Sequence, residues 1–304
     1  MVLFLTIIIR YFSSKSTICC DRALYKNVIF FDVDGTIVKN TFISPKTIKM
    51  FEDLQKKEYL LVLNTGRSYI SVKSLAEQLK INHILCSSGG CLYINNHIVY
   101  QDYIPYHQLK KIVNYFDCCG LIYSLECQDC IYIQKNTKDK HIKRIQYLNQ
   151  GRLDEEILIK KFNENYKELE SLEFIKVNKI HWFEDKIMYQ NKAPLNYQQI
   201  CQKFGRSYQI VPILGNPLSV SGEICQKGTS KEKGVKFLTK YYNIDINETY
   251  AIGDDYNDIE MLKYVKHGIA MGQAPDKVKE ICEYVTGDFN QEGVVQAMKY
   301  YELI

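Results

Sequence analysis

Two aspartates separated by one residue follow an apolar run near the start of the chain. The run is Val28 to Phe31, and the segment Asp32-Val33-Asp34-Gly35-Thr36 comes directly after it. Residues two apart in an extended segment point the same way, so Asp32 and Asp34 direct two carboxyl groups at one place. Like charges this close need a cation or a shared proton. Mg²⁺, which prefers carboxylates, waters and phosphate oxygens, fits such a pair, although a polar turn is the ordinary alternative.

Three later segments carry groups that suit a bound phosphate. Asn64-Thr65-Gly66-Arg67-Ser68 offers a hydroxyl group and backbone N–H groups at a strand-to-helix turn, and its Arg67 could equally be solvated. Lys227-Gly228-Thr229-Ser230-Lys231 precedes a predicted helix, and Gly253-Asp254-Asp255-Tyr256-Asn257-Asp258 supplies more carboxylates. Each segment alone is compatible with a capped turn or a solvated charge. Together they supply what phosphoryl transfer through an aspartyl phosphate requires: a nucleophile, a proton donor and cations.

Alternating strands and helices must position these segments. Buried strands are predicted at the apolar runs Val28–Phe31, Tyr59–Leu63 and Ile84–Cys86, with helices between them that begin after Ser44 and at Tyr69. The alternation returns with helices around Val235–Leu238, Ile259–Val265, Pro275–Tyr284 and Gly293–Tyr300, and strands Tyr250–Ile252 and Gly268–Met271. This pattern predicts an α/β fold with a doubly wound, Rossmann-like parallel sheet, whose ligands collect at the carboxyl ends of the strands.

The middle of the chain has a different rhythm, typical of an α+β domain. It begins with a predicted hairpin, Leu92–Ile94 and Ile98–Tyr100, and continues with strands Leu121–Leu125, Ile131–Gln134 and Lys179–Phe183. We predict an inserted α+β cap at residues 91–203 and a catalytic core formed by residues 27–90 and 204–304. Residues 1–26 are predicted to be a tail.

Composition restricts the classes of partner. The sequence has 39 Lys and Arg against 35 Asp and Glu, and no clustered basic face, so no nucleic-acid partner is expected. Eleven cysteines without regular spacing favour reduced thiols and the cytoplasm. The apolar stretch Val2–Ile9 is much shorter than the roughly 20 residues of a spanning helix, so no stable membrane association is expected. Organelle targeting by residues 1–26 is the less favoured alternative. The oligomeric state stays open.

The four polar segments, in this order, resemble the motifs of the haloacid dehalogenase superfamily of phosphatases, and the insert is similar to the α+β cap of its Cof-type subfamily. The resemblance implies that Asp32 is the nucleophile and Asp34 the general acid and base. It implies phosphate binding by Thr65, Gly66, Lys231 and Asn257. It also implies a Mg²⁺ site formed by the Asp32 carboxylate, the Asp34 backbone carbonyl group and Asp254, with Asp258 supporting the ion through water.

Two details qualify the resemblance. The Glu223-Ile224 pair ahead of the lysine segment is similar to the family pattern, whereas Ser88-Gly89-Gly90 stands where many relatives have Asn-Gly. The substrate contacts of that turn are therefore left open.

The function implied is Mg²⁺-dependent hydrolysis of small phosphorylated metabolites, with sugar phosphates ahead of cofactor phosphates and nucleotides. Two alternatives share the fold: a phosphosugar mutase, and a phosphate-binding module without turnover. A zinc-dependent interaction domain is a weaker idea, in which Cys127 and Cys130 would join Cys118 and Cys119. A hairpin turn is the favoured interpretation of those cysteines.

Overall fold

The computed structural model of the chain describes residues 25–149, 154–183, 197–212 and 221–304. The predicted tail lies almost wholly outside these ranges, as does the apolar stretch Val2–Ile9. Within them, no helix combines the length and the apolar character needed to cross a lipid bilayer.

The described elements alternate along the chain in two blocks. The strands are β1 (Asn27–Phe31), β2 (Tyr59–Asn64), β3 (His83–Cys86), β4 (Cys91–Ile94), β5 (His97–Gln101), β6 (Ile122–Glu126), β7 (Ile131–Ile133), β8 (Tyr166–Glu168), β9 (Lys179–Phe183), β10 (Tyr208–Pro212), β11 (Ser221–Gln226), β12 (Thr249–Gly253), β13 (His267–Ala270) and β14 (Tyr284–Val285). The helices are α1 (Pro45–Leu54), α2 (Tyr69–Gln78), α3 (Tyr106–Cys119), α4 (Lys138–Leu148), α5 (Glu155–Asn165), α6 (Tyr197–Phe204), α7 (Lys231–Tyr242), α8 (Ile259–Tyr264), α9 (Asp276–Lys279) and α10 (Gly293–Tyr300).

The core sheet contains eight described strands in the order β14-β13-β12-β1-β2-β3-β4-β5. The strands from β14 to β3 are parallel, and β4 and β5 continue the sheet in antiparallel pairing. Every residue of β1 is buried, which explains the apolar run Val28–Phe31 that follows Asn27. The strand order reverses at β1, between β12 and β2, and open parallel sheets bind ligands at such a point. The predicted α/β fold is confirmed.

Two hydrophobic layers cover the faces of this sheet. On one face, Ile29 and Phe31 of β1 pack with apolar side chains of α1, α2 and α10. On the other, Val28 and Phe30 pack with residues of α7 and α8, among them Leu238. Alternate residues of one strand thus serve opposite layers, because side chains in a strand point alternately to its two sides. The central strands are held firmly, and their carboxyl ends are fixed with them.

The cap sheet has six described strands in the order β10-β11-β9-β6-β7-β8. Its pairs are antiparallel except for β7 with β8, which run parallel. One face packs against α3 and α6 around the buried side chains of Phe116 and Trp182. The opposite face carries polar side chains.

At both predicted domain boundaries, strands belong to the other sheet than predicted. The hairpin of β4 and β5, predicted to belong to the cap, extends the core sheet, because β4 pairs along the edge of β3 and buries Leu92 and Tyr93 in the two core layers. The turn of this hairpin lies at Asn95-Asn96, and both residues have positive φ. Strands β10 and β11, predicted to belong to the core, lie in the cap sheet, where β11 pairs with β9.

The predicted helix at Pro275–Tyr284 is also wrong. Helix α9 ends at Lys279, and the backbone N–H group of Glu283 donates to the carbonyl oxygen of Gly268 in β13. This bond draws the chain back to the sheet edge, where Tyr284 and Val285 form β14.

Candidate active site

A buried lysine joins two of the predicted acidic residues. The Nζ atom of Lys231 lies 2.5 Å from Oδ1 of Asp32 and 2.6 Å from Oδ1 of Asp258. Lys231 is the first residue of α7, which Ser230 caps by accepting a hydrogen bond from the N–H group of Lys233. Asp32 follows β1, and Asp258 ends the short turn of 3₁₀-helix Tyr256–Asp258 after β12. Residues far apart in sequence therefore meet because neighbouring parallel strands end at one edge.

Asp32, Asp254 and Asp258 form a group of carboxylates that could hold a metal ion. One oxygen of each lies within 4.8 Å of the others. Asp258 is fixed because its Oδ2 atom accepts from the N–H groups of Asp254 and Asp255, at 3.1 Å each. Three carboxylates face one ammonium group, so two negative charges remain, which is the charge that a divalent cation would neutralise.

Burial and the neighbouring charges also shift the pKa values of these groups. Burial raises the pKa of Asp32 well above its usual range, against the opposing attraction of Lys231. Burial and the neighbouring Asp258 raise the pKa of Asp254 to about 6. For Lys231, burial disfavours the ammonium form, but the Asp258 and Asp32 carboxylates outweigh it and raise the pKa. Excess negative charge out of water is what a hard cation with oxygen ligands relieves, so these residues fit Mg²⁺.

Gly35 lets the two acidic segments approach each other. Its φ is +83°, and a Cβ atom built on it would lie 2.0 Å from Oδ2 of Asp254. Any other residue would combine backbone strain with a collision in the carboxylate group. The carbonyl oxygen of Gly35 also accepts a 2.7 Å hydrogen bond from Nε2 of Gln273.

Asp34 points away from the three carboxylates, towards the mouth of the site. Its side chain is 62% exposed and forms a two-bond ion pair with Arg67, with Oδ1–Nη2 2.6 Å and Oδ2–Nε 2.9 Å. This planar pairing fixes the orientation of the carboxylate. Arg67, which the sequence left as possibly solvated, is a partner of Asp34 instead.

The turn after β2 contains Thr65 and Gly66. Thr65 is fully buried, and its Oγ1 atom accepts from the N–H group of Arg67 at 3.1 Å. Gly66 lies on the surface of the adjacent cavity, together with Ser88 from the turn that the sequence left open. Ser88 has a φ of +56°, and its N–H group donates to the carbonyl oxygen of Thr65. The two turns therefore form one wall.

A cavity of about 370 Å³ connects the core residues with the cap sheet. From the core, Asp32, Asp34 and Asn257 reach it. The cap contributes five residues: Glu126, Ile131, Tyr166, Lys179 and Glu223. The sequence marked Glu223 only as part of a family pattern and missed the other four, because they come from separate strands and share no motif. The sequence signal that could have identified them is strand alternation, which places every second residue of a strand on the same face of the sheet.

The zinc alternative, which the sequence favoured less than a hairpin turn, has no support in the described part of the chain. Cys127 and Cys130 are buried, whereas Cys118 is exposed. Across those residues, the carboxylates of Asp32, Asp254 and Asp258 are the one group of three or more ligands of this kind.

A sequence profile of haloacid dehalogenase-like hydrolases matches residues 29–298. The match spans the core sheet and the cap sheet. The chain belongs to the haloacid dehalogenase-like hydrolases. The predicted family is thereby confirmed.

Relatives of this haloacid dehalogenase-like hydrolase match over nearly their full length. YkrA of Bacillus subtilis strain 168 is 25% identical over 281 residues, which are 91% of this chain and 98% of YkrA. The 5-amino-6-(5-phospho-D-ribitylamino)uracil phosphatase YcsE of the same strain is 22% identical over 277 residues, which are 91% of this chain and 96% of YcsE.

Solved structures share the fold. The structure of the subclass IIB sugar phosphatase BT4131 has a TM-score of 0.69 with this chain at 22% identity, and the alignment covers 91% of this chain and 100% of that chain. The family, its phosphatase members and the site geometry agree: the protein is a hydrolase that acts on phosphate monoesters.

Proposed function

We propose that the protein is a Mg²⁺-dependent phosphatase that hydrolyses small phosphate monoesters, sugar phosphates first, through an aspartyl phosphate on Asp32. The observation that carries this proposal is the position of Lys231 between Asp32 and Asp258, next to a cavity that Asp32 and Asp34 line. A nucleophile and a second carboxyl group thus face one substrate-sized space, and a buried cation contacts the nucleophile. From its composition, we also propose that the protein is cytoplasmic and has no nucleic-acid partner.

In the first step, an oxygen of Asp32 attacks phosphorus and the bond to the ester oxygen breaks. The carboxyl group of Asp34 gives its proton to the departing alkoxide. Lys231 and the N–H groups of the Gly66 turn offset the charge on the phosphoryl oxygens, with Thr65 and Asn257 as further ligands. The product alcohol leaves, and the phosphoryl group stays on Asp32.

In the second step, the Asp34 carboxylate takes a proton from water. The resulting hydroxide attacks phosphorus, the bond to Asp32 breaks, and inorganic phosphate leaves. Because both Oδ atoms of Asp34 accept hydrogen bonds from Arg67, one of these bonds must open when Asp34 carries or takes up the proton.

Asp32, Asp254 and Asp258, with the backbone carbonyl group of Asp34, would hold Mg²⁺. When bound, Mg²⁺ supplies positive charge that offsets the negative charge of the transferring phosphoryl group. The excess negative charge of the buried carboxylates supports this assignment.

Sugar phosphates suit the cavity because its cap wall is polar and its volume of about 370 Å³ is small. BT4131 is named a sugar phosphatase, and YcsE is named for a substrate with a phosphorylated ribityl chain. Both names describe a phosphate ester on a carbon chain with several hydroxyl groups.

The test measures phosphate release from sugar phosphates, cofactor phosphates and nucleotides, with Mg²⁺ and with a chelator. We expect release from sugar phosphates that stops when the chelator is added. Release that is independent of divalent metal would contradict the metal assignment. No release, together with isomerised sugar phosphate in the same samples, would establish a mutase instead.

A further inference from the structure

The cap wall of the active-site cavity contains a lysine held by two glutamates. Nζ of Lys179 lies 2.6 Å from Oε1 of Glu223 and 3.5 Å from Oε2 of Glu126. The three residues come from β9, β11 and β6, which are neighbours in the cap sheet, and Glu126 is directly opposite Lys179 in the strand register. This trio, Glu126-Lys179-Glu223, is separate from the catalytic group in the core.

The trio lies directly over the phosphate-binding turn. Nζ of Lys179 also donates a 2.9 Å hydrogen bond to the carbonyl oxygen of Gly66. That bond joins the cap to the core beside the place where the phosphoryl group would sit. Whatever is esterified to the phosphate must therefore extend along Glu126 and Glu223.

We propose that Glu126 and Glu223 are specificity-determining residues that select monoesters whose leaving group carries hydroxyl groups and no second anionic group. This inference rests on the proposed function and adds the substrate chemistry of the distal end of the cavity. The geometry supports it in two ways, through hydrogen bonding and through charge.

The first argument is hydrogen bonding. The ammonium group of Lys179 donates hydrogen bonds to Gly66 and Glu223, whereas Oε2 of Glu126 lies 3.5 Å from Nζ, too far for a well-formed hydrogen bond. Oε2 of Glu126 is buried and has no hydrogen-bond partner among the described residues. The wall thus presents a carboxylate acceptor that no described donor satisfies. A hydroxyl group of the substrate is the donor that satisfies such an oxygen.

The second argument is charge. Burial raises the pKa of Glu126 to about 7, so at pH values well above that pKa two carboxylates face one ammonium group, and the wall repels a second anion at the distal end of the substrate. The site is poorly screened, because the side chains of Glu126 and Glu223 are 14% and 23% exposed. Sugar acid phosphates, bisphosphates and nucleoside diphosphates should therefore be poor substrates, and neutral polyol phosphates good ones.

The experiment compares kcat/KM for glucitol 6-phosphate and 6-phosphogluconate at a pH well above the pKa of Glu126. Both are open-chain esters, and they differ in that one has a hydroxymethyl group at the distal end where the other has a carboxylate. The wild type should prefer glucitol 6-phosphate by about tenfold or more. Glu126→Gln removes one charge, keeps the side-chain shape and leaves Lys179 paired with Glu223. It should reduce the preference by about tenfold, chiefly through better turnover of 6-phosphogluconate.

Two controls distinguish a failure of this inference from a failure of the proposed function. Glu170→Gln removes the charge of an exposed cap residue outside the cavity and should leave the preference unchanged. p-Nitrophenyl phosphate shows whether each preparation turns over at all: no release from it in the wild type would overturn the proposed function. Turnover with an unchanged preference in Glu126→Gln, or a wild type that prefers 6-phosphogluconate, would overturn this inference alone. The wild-type preference decides the question even if the variant fails to fold.

Discussion

At the scale of single residues, the two aspartates after β1 have different surroundings, which supports the different roles proposed for them. Asp32 is buried against Lys231, whereas Asp34 is 62% exposed and held by Arg67. A buried carboxylate beside a fixed ammonium group is placed to attack a phosphoryl group that the same ammonium group contacts. A carboxyl group at the cavity mouth can exchange protons with water and with the leaving group.

Replacing Asp34 should affect poor leaving groups most. Asp34→Asn should reduce kcat for alkyl phosphates by about 10² to 10⁴, because the alkoxide leaves without a proton. The loss in the first step should be smaller for p-nitrophenyl phosphate, whose leaving group needs no proton. Single-turnover release of the alcohol from both esters isolates the first step, and an equal loss on both would contradict the role as proton donor.

The placement of these residues at strand ends was largely predictable from sequence, because the segments at the strand ends are local patterns. The pairing of Asp34 with Arg67 was not, since it depends on how two turns from different strands face each other. The trio of Glu126, Lys179 and Glu223 was equally inaccessible. Its members are isolated polar residues whose proximity arises only when β6, β9 and β11 pair.

At the scale of elements, the site depends on how closely the turns after neighbouring strands approach each other. Gly35 lets the turn after β1 approach the turn after β12, where a Cβ atom would collide with Asp254. Gly228 offers a matched comparison, because its φ of +81° is nearly the same and no atom of the described residues lies within 4 Å of its Cβ position.

Gly35→Ala should therefore impair metal activation more than Gly228→Ala. Both changes should cost about 1 kcal/mol of stability from backbone strain. Only Gly35→Ala displaces the Asp254 carboxylate, so the Mg²⁺ concentration for half-maximal phosphate release should rise about tenfold or more in that variant. Titration of both variants with Mg²⁺ is the measurement. Equal shifts in the two variants would show that strain, and not the contact with Asp254, is responsible.

The elements themselves were predicted with mixed success, for one physical reason. Periodicity and turn residues locate strands such as β1 and helices such as α1, because these signals are local. They do not specify which sheet a hairpin joins. The β4–β5 hairpin covers the open edge of β3, and β11 joins the cap, so both domain boundaries were misplaced. The predicted helix at Pro275–Tyr284 was cut short by a bond to β13 that no local pattern reveals.

At the scale of the whole molecule, buried histidines couple stability to pH. His83 on β3 is 7% exposed and lies 2.7 Å from the hydroxyl group of Tyr242. Burial lowers its pKa to about 4, and burial also lowers the pKa of His141 in the cap to about 4. The folded chain keeps these rings neutral at a pH where an unfolded chain protonates them.

The direction in which the free energy of unfolding changes with pH follows from this difference in bound protons. Above about pH 6.5 both states hold a neutral His83, so it contributes no pH dependence. As the pH falls from about 6.5 towards 4, the unfolded state gains a proton that the folded state does not. The free energy of unfolding then falls by up to about 1.4 kcal/mol per pH unit for each such histidine.

His83→Gln should reduce this slope by about 1 kcal/mol per pH unit between pH 5 and 6. Chemical denaturation at several pH values measures it, with the exposed His97→Gln as the control that leaves the slope unchanged. The comparison between variants is needed because other groups also titrate. Burial raises the pKa of Glu126 to about 7, so as the pH falls this carboxyl group increases the free energy of unfolding, opposite to the histidines. A slope in His83→Gln equal to that of the wild type would contradict the buried neutral ring.

The most direct test of the account is to trap the phosphoryl group on Asp32. Asp34→Asn, incubated with Mg²⁺ and a radiolabelled aryl phosphate, should complete the first step and stall before hydrolysis, because no base activates water. The account predicts about one phosphoryl group per chain, released by hydroxylamine as acyl phosphates are, and located on the peptide that contains Asp32. The Asp32→Asn/Asp34→Asn double variant should carry none. A label on another residue, or turnover by Asp32→Asn in a clean preparation, would contradict the central role of Asp32.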